Sequence, residues 1–121
     1  MTDIITKLMD IEWKNTASSR SKNVFDSTFC PHLAVRIVEV EPESGFEVHE
    51  HPTTQILYFV NGGEGIVELN LDSYPIEKDL VVMVKPGICH GVKNTGKTIL
   101  RVLVFEDKTN SNSPQTPYVD F

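Results

Sequence analysis

Four side chains stand out for the chemistry that their types and spacing permit. His49 and His51 are two residues apart, so in extended backbone both imidazoles project from one side of the chain. Gln55 keeps the same parity four residues past His51. If the chain stays extended through Pro52 to Thr54, its amide oxygen reaches the same side. His90 comes much later, after Lys85-Pro86-Gly87-Ile88-Cys89, where Pro-Gly sets a turn ahead of a strand. Neutral imidazole is the commonest protein metal ligand, and an amide oxygen can complete its donor set. His49, His51, Gln55 and His90 are therefore the candidate ligands of one divalent transition metal: zinc, iron, nickel, manganese or copper.

The elements that must position these groups are strands. Leu33 to Val40 is rich in β-branched residues and closes at Glu41-Pro42-Glu43-Ser44-Gly45. Phe46 to His49 is a short extended piece. Thr54 to Val60 is a nearly unbroken apolar run apart from Gln55, as in a strand buried on both faces. A buried amide must find partners or lose about 1–3 kcal/mol; a metal is one such partner and a neighbouring side chain is another. Asn61-Gly62-Gly63 signals a hairpin into Glu64 to Leu71, which alternates apolar and polar residues. Leu80 to Val84 is wholly apolar, and Asn94 to Lys97 turns into a last strand over Thr98 to Phe105. About eight short strands, turn signals at roughly ten-residue spacing and no convincing helix predict an all-β sandwich or barrel.

The two histidine-bearing stretches together resemble the cupin superfamily. Its first motif is matched by Gly45, His49, His51, Gln55 and Gly62, and the spacing of its second by Gly87, His90 and Asn94. The likeness extends over about residues 33–105. It implies a double-stranded β-helix, the jelly-roll or cupin barrel, with the metal at its mouth. It divides the chain into an N-terminal arm over 1–32 that packs on the barrel or on a partner subunit, a barrel over 33–105, and a tail over 106–121. A homodimer is implied as well.

The chain departs from the family pattern in three places. Gly45 stands closer to His49 than usual. Asp79 and Lys85 replace the glycine and the first proline of the second motif. Gln55 stands where most metal-binding cupins carry glutamate. Three histidines and a glutamate leave a divalent ion at net +1, whereas a glutamine leaves it at +2. The neutral oxygen weakens retention, leaves a more electrophilic ion and favours an anionic substrate. Small cupins that open unsaturated uronates in pectin degradation also combine His-x-His with a glutamine and a later histidine. Gln55-Ile56-Leu57-Tyr58 is similar to their sequence, but Glu106-Asp107 and the closing Tyr118-Val119-Asp120-Phe121 do not clearly match their acid and arginine.

The resulting expectation is a metal-binding cupin acting on a small sugar or carboxylate in isomerase- or lyase-like chemistry, with the ion as Lewis acid. A dioxygenase using iron or copper and a non-catalytic ligand-binding or sensor barrel are the alternatives. Tyr58 and Arg101 are the catalytic candidates embedded in apolar strands, although Tyr58 has parity opposite to Gln55; Arg36 is ambiguous in the same way. His32 and Cys89 read more simply as a solvated histidine and an unactivated thiol.

Composition sets outer limits. The 121 residues suit one domain, and the formal charge of −6 with no basic stripe argues against nucleic acid or an anionic membrane as partner. No apolar run approaches the roughly 20 residues of a membrane helix. The N-terminus lacks the basic-then-apolar form of a signal peptide, which predicts a cytoplasmic protein. The two cysteines, Cys30 and Cys89, are expected as free thiols.

Overall fold

A computed structural model describes residues 5–26, 30–45 and 48–109. Within them the chain forms a 3-10 turn, Leu8–Asp10, and nine strands. These are β1 (Lys14–Asn15), β2 (Ser19–Phe25), β3 (Leu33–Val40), β4 (Thr54–Phe59), β5 (Gly65–Leu69), β6 (Asp72–Pro75), β7 (Val81–Val84), β8 (His90–Asn94) and β9 (Leu100–Asp107). Two antiparallel sheets result, one in the order β1-β2-β3-β9-β4-β7 and one in the order β6-β5-β8. Their inner faces close on each other as a jelly-roll barrel, the all-β architecture expected from the sequence.

Period-two alternation decides what lies between the sheets. Leu57 and Phe59 of β4, Val38 and Val40 of β3, and Leu100, Val102 and Val104 of β9 point inward. They meet Val82 and Val84 of β7 and Val67 and Val92 of the second sheet in one apolar core. All seven strand pairings are antiparallel, so a one-residue slip in any of them would turn a whole row outward. The wide sheet thus fixes its own register through burial.

The segment before β4 joins the smaller sheet edge at two points. Gly45 bridges Lys93, and His49 bridges His90 through a reciprocal pair of backbone hydrogen bonds of 2.9 and 2.7 Å. Gly45 is there because nothing larger fits: a Cβ at this position would lie 2.4 Å from the Val92 carbonyl oxygen. Asn94 ties the far end of β8. Its amide donates to the Val40 and Thr98 carbonyls at 3.1 and 2.7 Å, and its oxygen accepts from Gly96 N–H at 3.1 Å. Asp79, in the place where the family pattern has glycine, adopts φ 66°, a left-handed conformation that Asp tolerates better than most residues.

Two differences from the sequence reading are physical in origin. Residues 19–25 form a full strand, β2, where an irregular arm was expected, because Ser19, Ser21 and Asn23 give its inner face no apolar signal. The last strand runs through Asp107, two residues beyond the expected limit at 105, since Thr54 and Leu33 both pair with Asp107. Trp13 anchors the segment leading into β1 against β2, with the Arg20 guanidinium 4.1 Å and the Lys22 ammonium 4.5 Å from its ring centre. Of the tail expected over 106–121, positions 110–121 lie outside the described residues, as do Ile4 and Phe46.

The Gly45 contact makes a direct prediction. Gly45→Ala forces a methyl against β8 backbone and should lower the unfolding free energy by about 1–3 kcal/mol, as overpacking does. Urea denaturation of the two proteins measures the difference; an unchanged midpoint would show that the 44–49 segment can lift from β8 at no cost.

Candidate metal centre

Three imidazoles converge at the end of the barrel where β8 begins. His49 is placed by its backbone pairing with His90, and His51 by the Gly87 N–H that donates to its carbonyl at 3.3 Å. Gly87, with φ 83°, makes the turn that delivers His90. The ring centres of His49 and His51 are 4.8 Å apart, those of His49 and His90 4.6 Å, and those of His51 and His90 5.1 Å. One nitrogen from each ring lies within 4.8 Å of the others. Ligands about 2.1 Å from a shared ion sit roughly 3.0–3.4 Å from one another, so small side-chain rotations close the set. His90 and His51 are buried and His49 is half-buried, which leaves one side of the cluster facing the mouth.

Gln55 stands on the wide sheet with its side chain directed inward, between Glu106 of β9 and Val84 of β7. Its exposure is 0%, and neither its amide nitrogen nor its amide oxygen has a hydrogen-bond partner among the described residues. Such burial is unfavourable unless something supplies the missing partner. The three imidazoles are close enough to share a divalent transition metal, and the buried Gln55 amide oxygen is a further donor without a hydrogen-bond partner among the described residues, a set that fits such an ion.

The same interior holds two charged groups that sequence reading did not place there. Arg36 shares the inward parity of Val38 and Val40, and Glu106 that of Val102 and Val104. The Arg36 guanidinium lies 3.3 Å from Glu106 Oε1, and the Thr53 hydroxyl donates to Glu106 Oε2 at 2.7 Å. Both partners of the ion pair are nearly out of solvent, with side-chain exposures of 12% and 8%. Burial pushes the Glu106 carboxyl up, but the Thr53 hydrogen bond and the Arg36 charge outweigh it and hold the group below the usual glutamate range. It is a carboxylate at neutral pH. The signal for both residues was their parity: each occupies the inward register of an otherwise apolar strand.

Tyr58 and Arg101 are on the other side of the wide sheet. The Tyr58 hydroxyl donates to Asp79 Oδ1 at 2.6 Å, and that bond to a carboxylate raises its pKa above the ordinary tyrosine value. Arg101 Nε donates to Glu39 Oε2 at 3.0 Å, and Arg20 Nε to Glu39 Oε1 at 2.7 Å, so one carboxylate is clamped by two guanidiniums. Their residues alternate with the inward Leu57 and Val102, and that alternation removes both candidates from the barrel interior. His32 is exposed and outside the three-histidine cluster. Cys30 and Cys89 are free thiols, and the Cys89 backbone is held to Asn70 in the approach to β8.

The Glu106 pairing has a pH signature. A carboxyl whose folded pKa is depressed contributes stability above its unfolded value, and the contribution is lost as pH falls through the folded value. With an ordinary glutamate value of 4.5, the parent should exceed Glu106→Gln in unfolding free energy by a constant margin near neutral pH. That margin should shrink progressively below pH 4.5. Urea melts of both proteins between pH 3 and 7 test it, and a gap that stays flat over the whole range would show that the carboxylate charge is not what the site stabilises.

The family model for the cupin domain matches residues 36–106, which include Arg36, all four candidate ligands and Glu106. No curated protein matches the sequence at a significant level. Among solved structures the chain is similar to a predicted oxalate decarboxylase from Thermotoga maritima, at TM-score 0.79 and 19% identity, covering 87% of this chain and 99% of that one. It is similar also to KdgF from Halomonas sp., at TM-score 0.76 and 19% identity over 90% and 97% of the two chains. An RmlC-like cupin from Shewanella frigidimarina aligns at TM-score 0.76 and 15% identity over 92% and 96%. Likeness at such low identity speaks for the fold alone. With the domain match spanning both histidine stretches and the strands between them, the chain belongs to the cupin family.

Proposed function

We propose that this cupin binds one divalent transition metal through His49, His51, His90 and the Gln55 amide oxygen, and converts a small, oxygen-rich, anionic substrate in isomerase- or lyase-like chemistry. The observation that carries the reading is Gln55: a completely buried, inward-facing amide with no hydrogen-bond partner among the described residues, four positions past His51 of the three-histidine cluster. A bound ion supplies Lewis acidity, polarising a carbonyl or hydroxyl of the substrate.

The chain's own groups define what such a substrate must look like. Four neutral ligands leave the ion's charge uncompensated, which favours an anionic oxygen at the open side beside His49. Arg36 and Glu106 neutralise each other, so the interior adds no net charge that would repel the anion. The apolar rows beneath, with Leu57, Val82 and Val104, keep water from the floor of the site and strengthen electrostatic contacts within it. Glu106 is the carboxylate nearest in sequence register to Gln55, but both of its oxygens are engaged by Arg36 and Thr53. A group so held is a poor mobile base, and that favours a second reading in which the barrel binds its ligand without turnover.

Elemental analysis of untagged protein purified without chelator tests the metal. The parent should carry about one equivalent of a transition metal, and His49→Ala/His90→Ala should carry none while keeping its sheet signature in circular dichroism. The metal-loaded parent is then screened with small sugar acids, hydroxy acids and diketones. A compound that raises the melting temperature and is consumed supports catalysis, whereas stabilisation without consumption supports the binding barrel. No metal in the parent after reconstitution with each candidate ion would overturn the reading.

A further inference from the structure

We propose that Glu106 is a positioning residue of the metal centre: paired in register with Gln55 but not hydrogen-bonded to it in this structure, it accepts the amide N–H of Gln55 when an ion is held and thereby turns the Gln55 oxygen toward that ion. The inference rests on the metal reading above and assigns the orientation of its fourth ligand.

A glutamine amide carries an acceptor and two donors on one plane. An ion satisfies the oxygen alone. The Gln55 nitrogen is then a donor with 0% exposure and needs an acceptor of its own. The inward neighbours of Gln55 narrow the choice. Across β7 stands Val84, and two residues along β4 stands Leu57, neither of which accepts a hydrogen bond. Thr53 has turned its hydroxyl to Glu106. Across β9, in direct register with Gln55, stands Glu106 itself. Side chains so paired have Cβ atoms about 4.5–5.5 Å apart, within reach of two such long groups.

Glu106 has capacity left to accept. Arg36 Nη1 is 3.3 Å from its Oε1 and Thr53 Oγ1 is 2.7 Å from its Oε2, and each carboxylate oxygen offers two lone pairs. Those two contacts also hold the carboxylate still. An ionised carboxylate accepts and never donates, so it discriminates between the two ends of the amide: the nitrogen turns to β9 and the oxygen turns away from it. A group that fixes the orientation of a ligand it does not replace is the usual outer partner of metal-binding histidines; here the oriented ligand is an amide.

The test uses the full chain, stripped of metal, with Zn2+ titrated against a chromophoric chelator and Co2+ as an optical probe. Glu106→Gln should bind Zn2+ about 10–100-fold more weakly than the parent, the usual effect of losing an outer partner, and should show shifted Co2+ visible bands. The exchanged pair Gln55→Glu/Glu106→Gln, which keeps one amide and one carboxylate in register, should recover at least the parent affinity. Equal affinity and identical Co2+ spectra for Glu106→Gln and the parent would overturn the assignment while leaving the metal reading intact. Should Glu106→Gln fail to fold, the parent decides: on Zn2+ loading one Gln55 side-chain amide proton should move downfield and exchange more slowly, and an unmoved pair of resonances would overturn the proposal. A parent that binds neither Zn2+ nor Co2+ would remove the metal reading, and this inference with it.

Discussion

The reciprocal backbone hydrogen bonds between His49 and His90 are the constraint on which the rest of the site depends. They join two stretches separated by more than a third of the chain, and they do so through main-chain groups, so the contact does not depend on what the imidazoles bind. Two features on either side hold that contact. Gly45 lets the first stretch lie directly against β8, and the Gly87 turn, with its N–H on the His51 carbonyl, brings the second stretch back to meet it. Ring orientation is then a matter of side-chain torsion within a fixed frame.

The wide sheet contributes a different kind of order. Across β3, β9 and β4 its inward rows are apolar through Val40 and Leu100, and through Val38, Val102 and Phe59; Arg36 enters in the row of Val104 and Leu57, and Glu106 and Gln55 face each other in the next row toward the histidines. Folding stability and site chemistry are thus assigned to different rows of one register. The separation has a physical rationale. A buried ion pair such as Arg36 and Glu106 contributes little to stability compared with apolar residues of the same size, because desolvation offsets most of the attraction. The rows below must carry the fold on their own, and with twelve buried hydrophobic side chains in one cluster they have the material to do so.

Much of this was legible in the sequence, and the parts that were not failed for identifiable reasons. The span of β3 and the start of β4 follow from runs of branched and aromatic residues, and the equal parity of His49, His51 and Gln55 needed only the two-residue period of a strand. Asp79 could be flagged as a departure, but its left-handed backbone conformation shows why that position suits glycine. β2 was invisible because its inner face is serine and asparagine: a strand that buries little apolar surface has no hydrophobic period. Arg36 stayed ambiguous because its position in an apolar strand could not say whether the charge had a buried partner, and Glu106 was missed because the last strand was expected to end at Phe105 and runs through Asp107. For Arg101 the wet face was the right assignment, since Glu39 awaits it there.

The placement of charge separates this centre from one built on a carboxylate ligand. With Glu at position 55 the negative charge would lie directly on the ion and lower its demand for a further anion. Here the only inward carboxylate among the described residues adjoining Gln55 is already compensated by Arg36. On the proposed reading, an ion held by neutral donors would keep its full charge for whatever enters at the open side, so that binding an anionic oxygen and activating it would be the same interaction. The cost is weaker hold on the metal itself. Rigidity in the frame, from the paired backbones of His49 and His90 and the fixed register of β4 with β9, is the means by which such a site can retain an ion that its ligands' charge does not.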